Sequence, residues 1–131
     1  MRIAELCGQL GYLATAREIA ERLRRLVPPS QHAVFVAEST ERNVIGWVHV
    51  SDSRVLEVAP RAEVNGLVVD EEKRSSGAGS LLLEEAERWA KRRECKSLSV
   101  RSNVIRERAH KFYERHGYEH YKTQKAFRKA L

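Results

Sequence analysis

A chain of 131 residues, 42% apolar and 32% charged, is long enough to bury one core without disulfide staples and too apolar to stay disordered. Its 24 Lys and Arg outnumber 18 Asp and Glu, and the resulting charge of +6 favours an anionic ligand or an acidic partner. No apolar run approaches the ~18–20 residues a membrane span needs. The opening Met1-Arg-Ile-Ala-Glu-Leu-Cys, with its glutamate, is unlike a secretory leader, so a cytoplasmic setting is expected. Cys7 and Cys95 stand outside any C-x-x-C spacing and read as free, packed thiols. His32, His49, His110, His116 and His120 form no H-E-x-x-H pattern, and no metal is expected.

Two short helical patterns open the chain, the first over Ile3 to Leu10 and stopping at Gly11. The second runs from Thr15 to Leu26, with Thr15 as N-cap, Glu18 at the capping-box position, and Pro28-Pro29 as a stop. Ala33 to Glu38 and Val44 to Val50 read as a hairpin, its polar turn ending at Asn43, a residue suited to a left-handed backbone. Val55 to Val58 and Glu63 to Val69 read as an extended segment interrupted by Pro60, and strand alternation places residues 63, 65, 67 and 69 on one face. Gly77 to Arg92 is the clearest helix, with Leu82, Leu83, Ala86, Trp89 and Ala90 forming its apolar stripe. Ser97 to Val100 returns to strand, Arg106 to His116 is helical up to Gly117, and Tyr118 to Phe127 reads as a final hairpin. Trp47 and Trp89 are read as packing residues. The order gives a single α+β domain, 1–131, around one mixed and mostly antiparallel sheet.

Val64 to Ser80 carries the chemistry. A strand ends at Asp70, Arg74-Ser-Ser-Gly77-Ala-Gly79 follows, and a helix starts at once. Glycines at such a junction let main-chain N–H groups turn toward an anion, where the helix dipole favours negative charge. A dinucleotide site would need a third glycine, and that position is Leu82; a P-loop would need Gly-Lys-Ser/Thr, which is absent from this turn.

Arg74-x-x-Gly77-x-Gly79 resembles the acyl-CoA signature, Arg/Gln-x-x-Gly-x-Gly/Ala, of the GCN5-related N-acetyltransferase superfamily. Ala109-His-Lys-Phe112-Tyr113-Glu-Arg-His-Gly117-Tyr118, about 35 residues later, is similar to that family's A-x-x-F-Y-x-x-x-G-F/Y motif. Gly66 to Asp70 resembles its fourth strand and Leu98-Ser-Val its fifth. The resemblance implies an acyl-CoA N-acyltransferase fold with about four helices, whose first strand has almost no room before Ile3.

It also implies acetyl-CoA as donor. Leu67, Val68 and Val69 would pair with the pantetheine arm, and Arg74, Ser75, Ser76, Gly77, Ala78, Gly79 and Ser80 would hold the pyrophosphate. Tyr113 would be the acid that protonates the departing thiolate. Glu63, eleven residues before Arg74, matches a glutamate used as base by some members. His49 and a water chain are the alternatives for that role. Ser75-Ser76 replaces the family's Gly-plus-basic pair, and the usual asparagine seven residues before the tyrosine is Arg106, with Asn103 ten before.

The implied reaction is direct acetyl transfer, in a ternary complex, to a primary amine of a small molecule or peptide. Neither cysteine lies in a motif, which disfavours a covalent route. Dimers are common in the family, so a homodimer is possible. One alternative is a regulatory module that binds acyl-CoA without catalysis. Another is an acetyltransferase of a nucleic-acid-associated substrate, reached through the basic tail of Lys122, Lys125, Arg128 and Lys129; the rest of the sequence gives nucleic acid little support.

Overall fold

The computed structural model describes residues 2–9, 14–26, 29–74, 76–102 and 106–131. Gly11, Pro28, Ser75 and Asn103 lie outside them. The chain forms two compact units, Met1–Val100 and Arg101–Leu131.

The first unit is built on a four-stranded sheet in the order β1-β2-β3-β4, comprising His32–Glu38, Val44–Ser53, Arg61–Val69 and Ser97–Val100. The first three strands are antiparallel and β4 joins β3 in parallel, through the crossover helix α3, Ala78–Arg92. This is the expected strand–helix–strand unit, and the sheet is mixed as read from the sequence. Helices α1 (Arg2–Gln9) and α2 (Ala16–Arg24) precede the sheet. Thr15 caps α2 as expected: its Oγ1 accepts from Glu18 N at 3.1 Å while Glu18 Oε1 accepts from Thr15 N at 3.2 Å.

Each face of the sheet has its own cover. Val48, Val50, Ala62 and Val64 are buried on the α3 side, against the stripe Leu82, Leu83, Ala86 and Ala90. On the other face Ala4, Cys7 and Ile19 from α1 and α2 make a small core against Trp47, whose ring covers Gly66. Trp89 is half-buried beneath the Arg93 guanidinium, 5.1 Å from its ring centre. Both tryptophans therefore pack. Asp52, buried under α3, accepts from Arg54 Nε at 3.1 Å and from Arg93 Nε at 3.2 Å, fastening the end of α3 to β2.

Three expectations require correction. Val55 to Val58 is not strand: residues 54–60 form the exposed turn between β2 and β3, because Leu56 and its neighbours find no apolar surface to cover. In the β1–β2 turn the left-handed residue is Arg42, φ 63°, rather than Asn43; Ser39 Oγ accepts from Asn43 N instead. The third concerns the second unit. It holds α4, Glu107–Arg115, but residues 118–131 contain neither helix nor strand. Tyr121 and Phe127 are exposed there, and the basic residues between them leave no alternating apolar face for a hairpin to bury. Among the described residues no strand precedes α1, and no helix is long and apolar enough to cross a membrane.

Leu83 is fully buried beneath the sheet, whereas its helix neighbour Leu81 is 63% exposed. Leu83→Ala is expected to lower unfolding free energy by about 3 kcal/mol and Leu81→Ala by under about 0.5 kcal/mol. Urea denaturation checks the pair; equal losses would contradict the assigned face of α3.

Candidate active site

The sheet opens between β3 and β4. Strand β4 pairs with β3 only over Arg61↔Ser97 to Val64↔Val100, while β2 stays paired with β3 as far as Gly46↔Val69. Residues 65–69 therefore extend past the end of β4 within the first unit. Their outward edge carries main-chain donors and acceptors, the arrangement an extended amide-bearing ligand needs to add itself as a strand.

A bulge lies at the start of that edge. His49 is opposite Gly66 and Val50 is opposite Val64, so Asn65 is an extra residue on β3. This overturns the simple alternation expected from sequence. Leu67 and Val69, opposite Val48 and Gly46, belong to the α3 face, while Glu63, opposite Ser51, belongs to the other. Val68 is buried opposite Trp47 on that second face.

Beyond Val69 the chain turns under firm control. Asp70 N donates to Ile45 O at 2.7 Å, and Asp70 Oδ1 accepts from Glu72 N at 3.1 Å. Its Oδ2 pairs with Arg2, and Gln9 Oε1 accepts from Glu71 N at 3.0 Å, so α1 clamps the turn from both its ends. The Glu72 N–H, followed by the Arg2 charge, holds the Asp70 carboxyl below its usual range.

A single 3-10 turn, Glu71–Lys73, leads to half-buried Arg74, and Gly77 then adopts φ +88° as N-cap of α3. Ser76 Oγ accepts from Ala78 N at 3.4 Å, and Leu81 N donates to Gly77 O at 3.1 Å. The helix thus begins at Ala78 with the first-turn amides of Gly79 and Ser80 directed out of its positive end. This turn follows the carboxyl end of β3, beside the open edge. This geometry would fit an acyl-CoA: Leu67 to Val69 lie on the strand edge past the end of β4, and Arg74 with Ser76 to Ser80 lie at the positive end of α3.

Polar side chains gather on the β3 face that carries Glu63. Asn65 Nδ2 donates to Ser51 Oγ at 2.8 Å, and His49 lies two residues before Ser51 on the same strand face. His32 Nδ1 and His49 Nε2 share a hydrogen bond of 3.1 Å. Residue spacing assigns His32 no role; the pair follows from the hairpin register, with Val34 opposite His49.

In the second unit Tyr113 is half-buried near the end of α4. Gly117 takes φ +86°, its N–H donates to Glu114 O at 3.1 Å, and Tyr118 N donates to Tyr113 O at 3.0 Å. These two bonds form a Schellman cap, and the Tyr118 ring packs edge-on against Tyr113 at 5.9 Å. The F-Y-x-x-x-G-Y spacing therefore fixes the phenol in place. Burial pushes its ionisation up, and the Arg106 charge partly opposes that shift. Arg106, exposed, is the N-cap of α4 and makes no side-chain capping bond. Asn103 and Ser75 lie outside the described residues. Cys7 is buried and Cys95 half-buried, both as free thiols held toward their protonated form by burial.

An open sheet with a glycine turn after β3 is the architecture of an anion-binding α/β fold. Residues 6–118 match the model of the acetyltransferase (GNAT) family, and the chain belongs to that family. No curated protein matches it. Among solved structures it is similar to the aminoglycoside 6'-N-acetyltransferase AAC(6')-IG of Acinetobacter haemolyticus, with TM-score 0.82 and 20% identity over 98% of this chain and 90% of the other. The glucosamine-6-phosphate N-acetyltransferase of Arabidopsis thaliana gives TM-score 0.79 and 20% identity over 95% and 87%. AAC(6')-Iy, solved with a CoA–acetylneamine bisubstrate analogue, gives TM-score 0.77 and 19% identity over 90% and 82%. These likenesses establish the shared fold.

Gly77→Ala tests the turn. No atom lies within 4 Å of an added Cβ, so the cost is conformational, about 1–2 kcal/mol for a left-handed residue. A lower melting temperature without ligand is expected, and an unchanged one would contradict the left-handed backbone.

Proposed function

We propose that residues 1–131 act as one catalytic domain that moves an acetyl group from acetyl-CoA to a primary amine within a ternary complex. The observation that carries this reading is the early end of β4. It exposes the edge of residues 65–69 directly before the glycine turn. The pantetheine amides pair with the Leu67–Val69 edge, and the pyrophosphate is held by the first-turn amides of α3 with Arg74, the Ser75–Ser76 segment and Gly77 to Ser80.

The amine nitrogen attacks the thioester carbon, the C–N bond forms, the C–S bond breaks, and the amine gives up a proton. Tyr113 delivers its phenolic proton to the departing thiolate and regains one from water. A phenol kept protonated by burial suits that task at neutral pH. Glu63, on the polar face next to the edge, receives the acceptor amine in its cationic form. The free, protonated thiols of Cys7 and Cys95 support transfer without an acetyl-cysteine and suit a reducing, cytoplasmic setting. An amino sugar or similar small amine is the acceptor class we favour, in keeping with the structural relatives named for aminoglycosides and glucosamine 6-phosphate.

Calorimetry with acetyl-CoA is expected to show one site per chain; no heat at millimolar ligand would overturn the reading. Tyr113→Phe is expected to lower kcat about 10²-fold while acetyl-CoA affinity stays within a factor of about two. An unchanged kcat would remove Tyr113 from the acid role. Binding by wild type with no turnover of any amine would instead mark the chain as a non-catalytic acyl-CoA module.

A further inference from the structure

On the sheet face that carries Glu63, the β1–β2 hairpin sets two imidazoles in contact. His32 begins the edge strand β1 and His49 lies at the middle of β2. Their rings stack with centroids 5.3 Å apart, and a hydrogen bond of 3.1 Å joins Nδ1 of His32 and Nε2 of His49. A bond between two imidazole nitrogens requires one to carry the proton and the other to accept it. His49 thereby keeps its second ring nitrogen, Nδ1, for another partner.

The surroundings of the pair are those of a substrate face. His49 is opposite Gly66, the first residue after the bulge, and shares its face with Ser51 and with Glu63 opposite Ser51. Asn65, the bulged residue, reaches back to Ser51 at 2.8 Å. Trp47 covers Gly66 on the same face and bounds this polar patch on the side of the α1–α2 core. The charged group that acts on His49 is His32 from β1, and Glu63 lies on the same sheet face, opposite Ser51 on β3.

We propose that His49 and His32 form a two-imidazole relay that takes the proton from the acceptor ammonium and passes it to solvent, a role that rests on the acetyl-transfer reading above. Glu63 pairs with the ammonium and holds it. His49 Nδ1 accepts a proton from nitrogen, His49 Nε2–H passes its own to His32 Nδ1, and His32 Nε2–H releases one to water. The sum is one proton moved from amine to solvent, leaving a neutral nitrogen to attack the thioester. Once product has left, His49 Nδ1–H goes to water, the shared proton returns from His32 Nδ1 to His49 Nε2, and His32 Nε2 regains one from solvent, restoring both tautomers. Imidazole suits the step because its protonation range lies near neutral pH, where general bases act best. His32, half-exposed at the sheet edge, suits the exit.

Burial, and next the charge of His32, hold the His49 imidazole below the ordinary histidine range. A depressed value keeps the base neutral down to below pH ~6.5. Rate should therefore be full at neutral pH and fall on the acid side as His49 gains its proton.

The test measures kcat/KM against pH with glucosamine 6-phosphate and neamine as acceptors, alongside calorimetry with acetyl-CoA. His49→Gln is expected to lower kcat/KM about 10²-fold, remove the acid limb, and leave acetyl-CoA affinity unchanged. His32→Gln should move the acid limb to higher pH, because it removes the charge that depresses His49; a structural residue would not shift that limb. Proton NMR titration of the histidine ring signals gives a readout independent of turnover: His49 should titrate below the ordinary histidine range, and His32→Gln should raise it. Wild-type pH profiles in His49→Gln, or two imidazoles that titrate independently, would overturn the relay while leaving the transferase reading intact. Acetyl-CoA binding by wild type with no turnover of any amine in a broad panel that includes these two would overturn both.

Discussion

The architecture depends on where β4 stops. A parallel strand pairing with all of β3 would satisfy every main-chain group along residues 61–69 and leave no edge for a ligand. Instead the pairing ends at Val64↔Val100, and the bulged Asn65 follows at once. The bulge turns the alternation of β3 over, so that the same strand presents Glu63 to the polar face while Leu67 and Val69 close the core above α3. An unpaired run of main chain is a liability in most sheets. Here, among the described residues, it ends in the turn that opens α3.

That turn is held by the rest of the fold. Asp70 ties it to β2 through Ile45 and to α1 through Arg2, and Gln9 holds the next residue. The opposite end of α3 is fastened by the buried Asp52 to Arg93. Helix α3 is thus anchored at both ends on the same sheet, and its first-turn amides keep a fixed direction. In the second unit the Gly117 cap and the Tyr118 ring orient Tyr113 in the same local way.

Much of this was legible in the sequence. The strand–glycine–helix order at Val69 to Ala78, the capping box of Thr15 and Glu18, and the apolar stripe of α3 are local patterns, and local patterns are what residue spacing encodes. The long-range facts were not legible. The bulge at Asn65 depends on the register between two strands, and no spacing within β3 announces it. The His32–His49 contact likewise depends on hairpin register. The left-handed residue fell on Arg42 because Ser39 could cap Asn43 N, a competition between two hydrogen bonds that propensity alone misplaces. Val55 to Val58 and the stretch after Tyr118 have strand-forming residues but no surface to cover, and so remain outside the sheet.

The central claim is that the open edge of β3 and the turn after it receive acetyl-CoA together. Amide hydrogen exchange with and without acetyl-CoA measures this most directly. Acetyl-CoA is expected to slow exchange in residues 66–69 and in 77–80, with little change along β1 or at the exposed turn of residues 54–60. Slowing confined to segments other than these two, in a protein that binds acetyl-CoA, would contradict it.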